Sequence, residues 1–151
     1  MSHPLLGKLE MSGTTARATV AWQDTAVALT VDADGASIDT ALALAARVAA
    51  SLQQCDAAAR DIIARDLLGT WHDAWREYDE PQDDGSLRPV THMPLDAATF
   101  KQRFVLESIS VTGADDVALW YGDADLFWGH HVRVSTCAGG DFCGADAQLM
   151  G

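Results

Sequence analysis

Basic residues are scarce in this sequence: ten Lys and Arg stand against twenty-two Asp and Glu, a formal charge of −12. Binding to a phosphate backbone depends on clustered cations, so nucleic acid is not an expected partner. Cysteine is scarce too. Three in 151 residues do not make a disulfide framework, and an odd count leaves at least one thiol unpaired, which fits a reducing, cytoplasmic location. No apolar run approaches the ~20 residues of a bilayer span, and no basic start leads into a long apolar core. A protein that is neither exported nor membrane-bound is the expectation. Absent as well are the G-x-S-x-G, Walker, H-E-x-x-H and G-x-G-x-x-G patterns, so no familiar catalytic set is present and no cofactor is called for.

What is there resembles an ordinary globular chain, with 48% apolar and 21% charged residues. A chain of this length buries roughly 68–70% of its unfolded surface, enough for one core, and one domain over 1–151 is expected. The acid is unevenly spread. Met1 to Trp75 carry five basic and nine acidic residues, Arg76 to Gly151 five and thirteen. Solubility explains such an excess; a surface that steers a basic protein partner is the sharper reading.

The stretches "LLGKLEM", "ATVAW" and "TAVALTV" read as short strands, the last alternating Val27, Leu29 and Val31 with small residues. After the turn residues of "DADG" the period changes. Ile38, Leu42, Ala45, Ala49 and Leu52 share one helical face, with Ser37 as N-cap. A second helix is expected after a turn at Cys55 and Asp56, where Ala59, Ile63, Leu67, Trp71 and Trp75 advance by four; Gly69 predicts a bend. Glu77 to Pro94 holds three prolines, a glycine and the acids Glu77, Asp79, Glu80, Asp83 and Asp84. It is expected to be a long exposed loop and a candidate partner-binding surface. Asp96 caps a brief helix anchored by Phe100, and "RFVLESISV", "DVALWYG" and "LFWGHHVRVS" complete the sheet as antiparallel neighbours.

The densest chemistry lies in "DADLFWGHHVRV", Asp123 to Val134. Strand alternation would send Leu126, Trp128, His130, Val132 and Val134 to one face and Phe127, His131 and Arg133 to the other. The two histidines then cannot share an ion, and Trp128 and His130 anchor the sheet. Asp123 and Asp125 fit turn chemistry, or with His130 an ion-binding or acid/base site. Gly129 inside a strand marks a bulge that would upset this alternation. His72, Asp73 and Asp66 are spaced to hold an ion but equally fit a solvated helix face. Cys137 and Cys143 read as free thiols rather than half a zinc site.

The blocks "LESISV", "VALWYGDADLFWGHHVRV" and "GADAQLMG" resemble the bacterial family called domain of unknown function 2262. In that family an F-K-x-R-like helix leads to an L-E-S-I strand, and an acidic turn leads into F-W-G-H. The matching positions here are Phe100 to Arg103, Leu106 to Ile109 and Asp123 to His130. The N-terminal strands and paired helices resemble its layout as well, so the likeness spans nearly the whole chain. The chain departs from the pattern at the acidic segment Glu77 to Pro94 and at His131. The family carries no established activity, so the resemblance transfers no catalytic residue. It implies company only: small bacterial domains of this kind resemble immunity or accessory components encoded beside toxins.

Together these features predict an α+β fold, an antiparallel sheet of about six strands with two main helices on one face. The functional expectation is a non-catalytic, acidic protein-binding domain, an immunity protein that neutralises a basic toxin. The alternative is a metal-assisted enzyme or ion-binding domain using Asp123, Asp125 and His130.

Overall fold

Period-two alternation does build the sheet in the computed structural model, which describes residues 1–151. Strands β4 (Thr15–Trp22) and β5 (Thr25–Asp32) form a hairpin that turns Ala16, Val27, Leu29 and Val31 inward. Short pieces precede them: β1 (Ser2–His3) pairs with β2 (Gly7–Lys8), and β3 (Glu10–Ser12) adds to β4. Helix α1 (Ile38–Ala50) follows, its first turn capped by the Ser37 hydroxyl, which accepts from the Thr40 amide at 3.0 Å.

Helix α2 runs from Leu52 to Thr70, so the junction between helices is the single residue Ser51 rather than the expected turn at Cys55 and Asp56. Asp56 is no cap. It lies inside α2, 7% exposed, where its carboxylate accepts from the Tyr121 hydroxyl at 2.7 Å and from Arg60 Nε at 2.9 Å. A side chain engaged with distant partners does not start a helix. Gly69, the site of the expected bend, lies inside α2, and a π-helical turn over Trp71–Trp75 follows the helix immediately.

Glu77 to Pro94 is exposed but is not a structureless loop. Strands β6 (Glu77–Pro81) and β7 (Leu87–Thr91) pair antiparallel as a separate two-stranded sheet. Charge and proline disguise it in the sequence: a hairpin that packs on nothing needs no apolar face, and its prolines are tolerated on strands that are both edges. The chain then passes through α3 (Ala97–Arg103), capped by Asp96 and anchored by the fully buried Phe100.

It re-enters the large sheet as β8 (Val105–Thr112), followed by β9 (Asp116–Gly122), β10 (His131–Thr136) and β11 (Asp146–Met150). The sheet therefore has seven strands, in the order β11-β10-β9-β8-β5-β4-β3, not about six. The added edge is β11, from the segment "DAQLM". Nor is it wholly antiparallel: β5 and β8 run parallel, Ala28 opposite Ser108 through Asp32 opposite Thr112. A parallel pair needs a long crossover, which the intervening helices supply. The α+β class holds, with the helices over the face that carries Val27, Leu29, Ile109, Leu119 and Val134.

Polar side chains of α2 join the layers. Arg60 Nη1 donates to the carbonyls of Lys101 and Phe104 at 2.6 and 2.7 Å, closing the C-terminal end of α3. Arg65 reaches the Ala145 carbonyl, and Asp66 accepts from the Ala147 amide on β11. Asp66 therefore protects the sheet edge and is not free for an ion with His72 and Asp73; His72 Nε2 accepts from the Leu95 amide. Burial raises Tyr121 far above the usual phenol range, with the Asp56 carboxylate adding to it, so the hydroxyl stays a donor.

Removing Asp56 strands a buried hydroxyl and a guanidinium that is mostly covered. Asp56→Ala should lower unfolding free energy by about 3 kcal/mol, and Tyr121→Phe by about 1 kcal/mol, both measured by urea denaturation; equal effects would contradict this network. The hydrogen bond from Arg65, followed by that from the Ala147 amide, holds the Asp66 carboxyl below its ordinary range. Its stabilisation is complete above the unfolded value of about 3.9 and is lost as pH falls through the lower folded value. The Ala147 amide resonance should move in that acid window, and in Asp66→Asn the shift should vanish.

Candidate functional site

Asp123 to His130 do not continue a strand. Strand β10 begins only at His131, and the preceding residues form successive tight turns, with Leu126, Trp128 and His130 amides donating to the carbonyls of Asp123, Asp125 and Phe127. The alternation predicted for this stretch fails accordingly: Leu126 and Phe127, adjacent in sequence, are both buried, and Trp128 is exposed. Gly129 is the break, as its position suggested. Its φ of +87° is one that side chains rarely adopt.

A single carboxylate organises the loop. Asp123, 5% exposed, accepts from the Asp125 amide at 2.9 Å, from Phe127 at 2.8 Å and from Gly129 at 3.2 Å. These bonds keep Ala124, Asp125 and Trp128 in the left-handed region, at φ of 49°, 65° and 57°. Each such non-glycine residue costs of order 1–2 kcal/mol, and for a bulky Trp the conformation is an outlier. Charge-assisted bonds to a buried carboxylate offset that strain. Strain held in this way marks functional surfaces more often than plain connections.

The aromatic side chains divide the work. Phe127, fully buried, meets Trp75 edge-on at 5.3 Å between ring centres and lies 6.3–6.4 Å from Phe100 and Phe104. Trp71, also buried, donates its indole N–H to the Leu126 carbonyl at 3.1 Å. The π-helical turn thus brings two tryptophans to one loop, Trp71 beneath it and Trp75 beside it. Trp128 does not anchor the sheet: it is 54% exposed and lies with its ring 4.5 Å from that of Trp75. His130 is half-buried in the loop, outside β10, with its ring 5.5 Å from Trp75. Its Nδ1 must donate to the Phe127 carbonyl at 2.6 Å, because a carbonyl only accepts.

His131 opens β10 and faces solvent. Its Nε2 lies 3.3 Å from Glu107, the extra residue of a bulge in β8, across the intervening strand at Gly122. A side chain at Gly122 would collide with the Glu107 carboxylate, so the glycine there makes room for that contact.

Asp123, Asp125 and His130 are not assembled as an ion site. Both Asp123 oxygens are already taken by backbone amides, and nowhere in the chain do three His, Cys, Asp or Glu side chains converge in a group that could hold a metal ion. Cys137 and Cys143 are exposed free thiols and Cys55 is buried. Neighbouring carboxylates, Asp116 and Asp141, push the two exposed thiols above their usual range.

The acidic hairpin springs from the same aromatic corner. Trp75 is followed directly by Arg76, whose backbone pairs with His92 and whose Nε donates to the His92 carbonyl at 3.0 Å. Glu77, Asp79, Asp83 and Asp84 are exposed, while Glu80 is partly covered and paired with Arg88 at 2.8 Å. Leu87 near the hairpin's tip and Met93 just past its base are 61% and 80% exposed. The residues that pure sequence reasoning missed here are Trp75 and Met93; the interval of four from Trp71 made Trp75 look like ordinary core.

Fold and site together define a small α+β chain with an aromatic loop beside an acidic hairpin, and with no helix long and apolar enough to cross a membrane. The chain belongs to the family DUF2262, uncharacterized protein conserved in bacteria, whose model matches residues 3–146. No curated protein and no solved structure matches it.

Asp123→Ala removes the acceptor for three amides, one of them buried. It should cost about 3 kcal/mol in urea denaturation and broaden the amide resonances of Asp125 to His130, leaving those of β4 and β5 sharp. Uniform broadening across the chain would mean that Asp123 serves the whole core and not this loop.

Proposed function

We propose that this chain is a non-catalytic binding domain whose contact surface is Trp128 together with the acidic hairpin, and whose partner is a basic protein. The observation that carries this reading is Trp128 itself, exposed while held at a left-handed φ. Burying a tryptophan would be the cheaper arrangement for a free domain. A pre-positioned tryptophan loses little entropy on binding, and Trp, Tyr and Arg dominate the energetics of protein interfaces. Exposed Leu87 and Met93 add apolar groups on and beside the hairpin, and Glu77, Asp79, Asp83 and Asp84 provide charge that speeds encounter with a cation-rich surface. Neutralisation of a basic toxin, in the manner of an immunity protein acting in the cytoplasm, is the biological setting that acidity and bacterial family together support.

Trp128→Gly relieves about 1–2 kcal/mol of left-handed strain and loses a contact with Trp75 worth about 0.5–1.5 kcal/mol, so the fold should tolerate it. Recovery of a basic protein from native-host extract at low salt, followed by calorimetry on the purified pair, tests the proposal. Trp128→Gly should weaken binding at least tenfold, and replacing the four exposed hairpin acids by their amides should remove most of its salt dependence. Recovery of no basic partner, or unchanged affinity in both variants, would defeat the proposal.

A further inference from the structure

Away from the Trp128 loop, a cleft of about 610 Å³ opens between the turn joining β4 to β5, helices α2 and α3, and the start of β8. Its walls include Trp22, Gln23, Arg60, Lys101, Gln102 and Phe104. The size falls within the range of small-molecule sites, and the mixture of flat apolar surface with a few convergent polar groups is typical of them. Trp22 is partly buried against the core and offers ring surface without being free to move away, while the buried Phe104 closes the base of the cleft.

Arg60 is the informative residue. Its Nε is bound to Asp56 and its Nη1 to the carbonyls of Lys101 and Phe104, which fix the guanidinium plane, yet Nη2 has no protein partner. Arg133 Nε is the one buried side-chain nitrogen or oxygen that lacks a partner, so the unpartnered Nη2 keeps contact with solvent, and Arg60 lines the cleft. An N–H of an immobilised guanidinium is a fixed, charge-assisted donor for an oxyanion. Lys101 Nζ lies at the same cleft, paired with Asp61 at 2.9 Å, and the Asp61 side chain is 71% exposed. Such an open, solvent-screened pair contributes little, so an incoming anion displaces Asp61 at little cost. The amides of Gln23 and Gln102 add neutral donors and acceptors.

We propose that this cleft binds a small aromatic oxyanion, its ring against Trp22 and its carboxylate or phosphate group on Arg60 Nη2 and Lys101 Nζ. The site is independent of the partner surface at Trp128. It gives an acidic protein a local place for an anion because both cations are set in position by the fold and only one of their counter-charges is buried.

Nitrogen-15 NMR titrations with benzoate, adenosine monophosphate and inorganic phosphate test this, because Arg60 itself also closes α3 and its removal would disturb the fold. Benzoate or adenosine monophosphate should give saturating shifts at the Ala57 and Gln102 amides and the Trp22 indole, and Lys101→Gln should weaken them at least tenfold. Saturation by benzoate alone assigns a carboxylate ligand, and by adenosine monophosphate alone a phosphate-bearing one. Lack of saturation with either, shifts elsewhere, equal binding by Lys101→Gln, or an equal response to inorganic phosphate would each overturn the proposal. Trp128→Gly should bind as the parent does.

Discussion

Helix α2 holds this molecule together through polar side chains that satisfy groups on other elements. Asp56 takes the Tyr121 hydroxyl of β9, Arg60 the last carbonyls of α3, Arg65 and Asp66 the backbone beside and within β11, and, just beyond the helix, Trp71 the carbonyl of Leu126. Each contact answers a need that apolar packing leaves open, since a buried donor or acceptor without a partner costs about 1–3 kcal/mol. Helix ends, the sheet edge and the loop all depend on one element. A helix with this task need not be strongly amphipathic, because its charged positions hold partners just as its apolar ones do.

The same logic shapes the F-W-G-H loop. Asp123 gathers three amides and thereby fixes turns that the backbone would otherwise avoid; Phe127 then enters the core and Trp128 is left outside it. The separation of adjacent rings, one inward and one outward, follows from left-handed φ values at Trp128 and Gly129. The π-helical turn, a geometry found often at functional sites, supplies Trp75 as the wall against which both rings rest. The acidic hairpin begins two residues later, so aromatic and charged surfaces are neighbours by chain connectivity.

Where local pattern and tertiary demand agree, the sequence was readable. Ser37 and Asp96 cap the helices they precede, β4, β5, β8 and β9 lie where alternation puts them, and the family likeness at Leu106 to Ile109 and Asp123 to His130 is met by membership over residues 3–146. Legibility fails where a side chain serves a distant partner. Asp56 reads as a turn residue and is a buried anchor; Asp66 reads as solvated and guards an edge. Glu77 to Thr91 reads as loop because a hairpin without a core partner leaves no apolar stripe. Of the candidate site, the turn role of Asp123 and the disruption at Gly129 were legible, and the outward Trp128 was not.

Composition and periodicity by themselves determined an acidic α+β chain, its main strands and helices, and the segment in which its chemistry is concentrated. These are consequences of local propensity and of charge, which need no knowledge of neighbours in space. Only the tertiary structure decided the parallel pairing of β5 with β8, the engagement of both Asp123 oxygens by backbone amides, and the meeting of Trp75 with Trp128. Those depend on contacts between residues far apart in the chain, and hydrogen-bond partners chosen across space leave no period in the sequence.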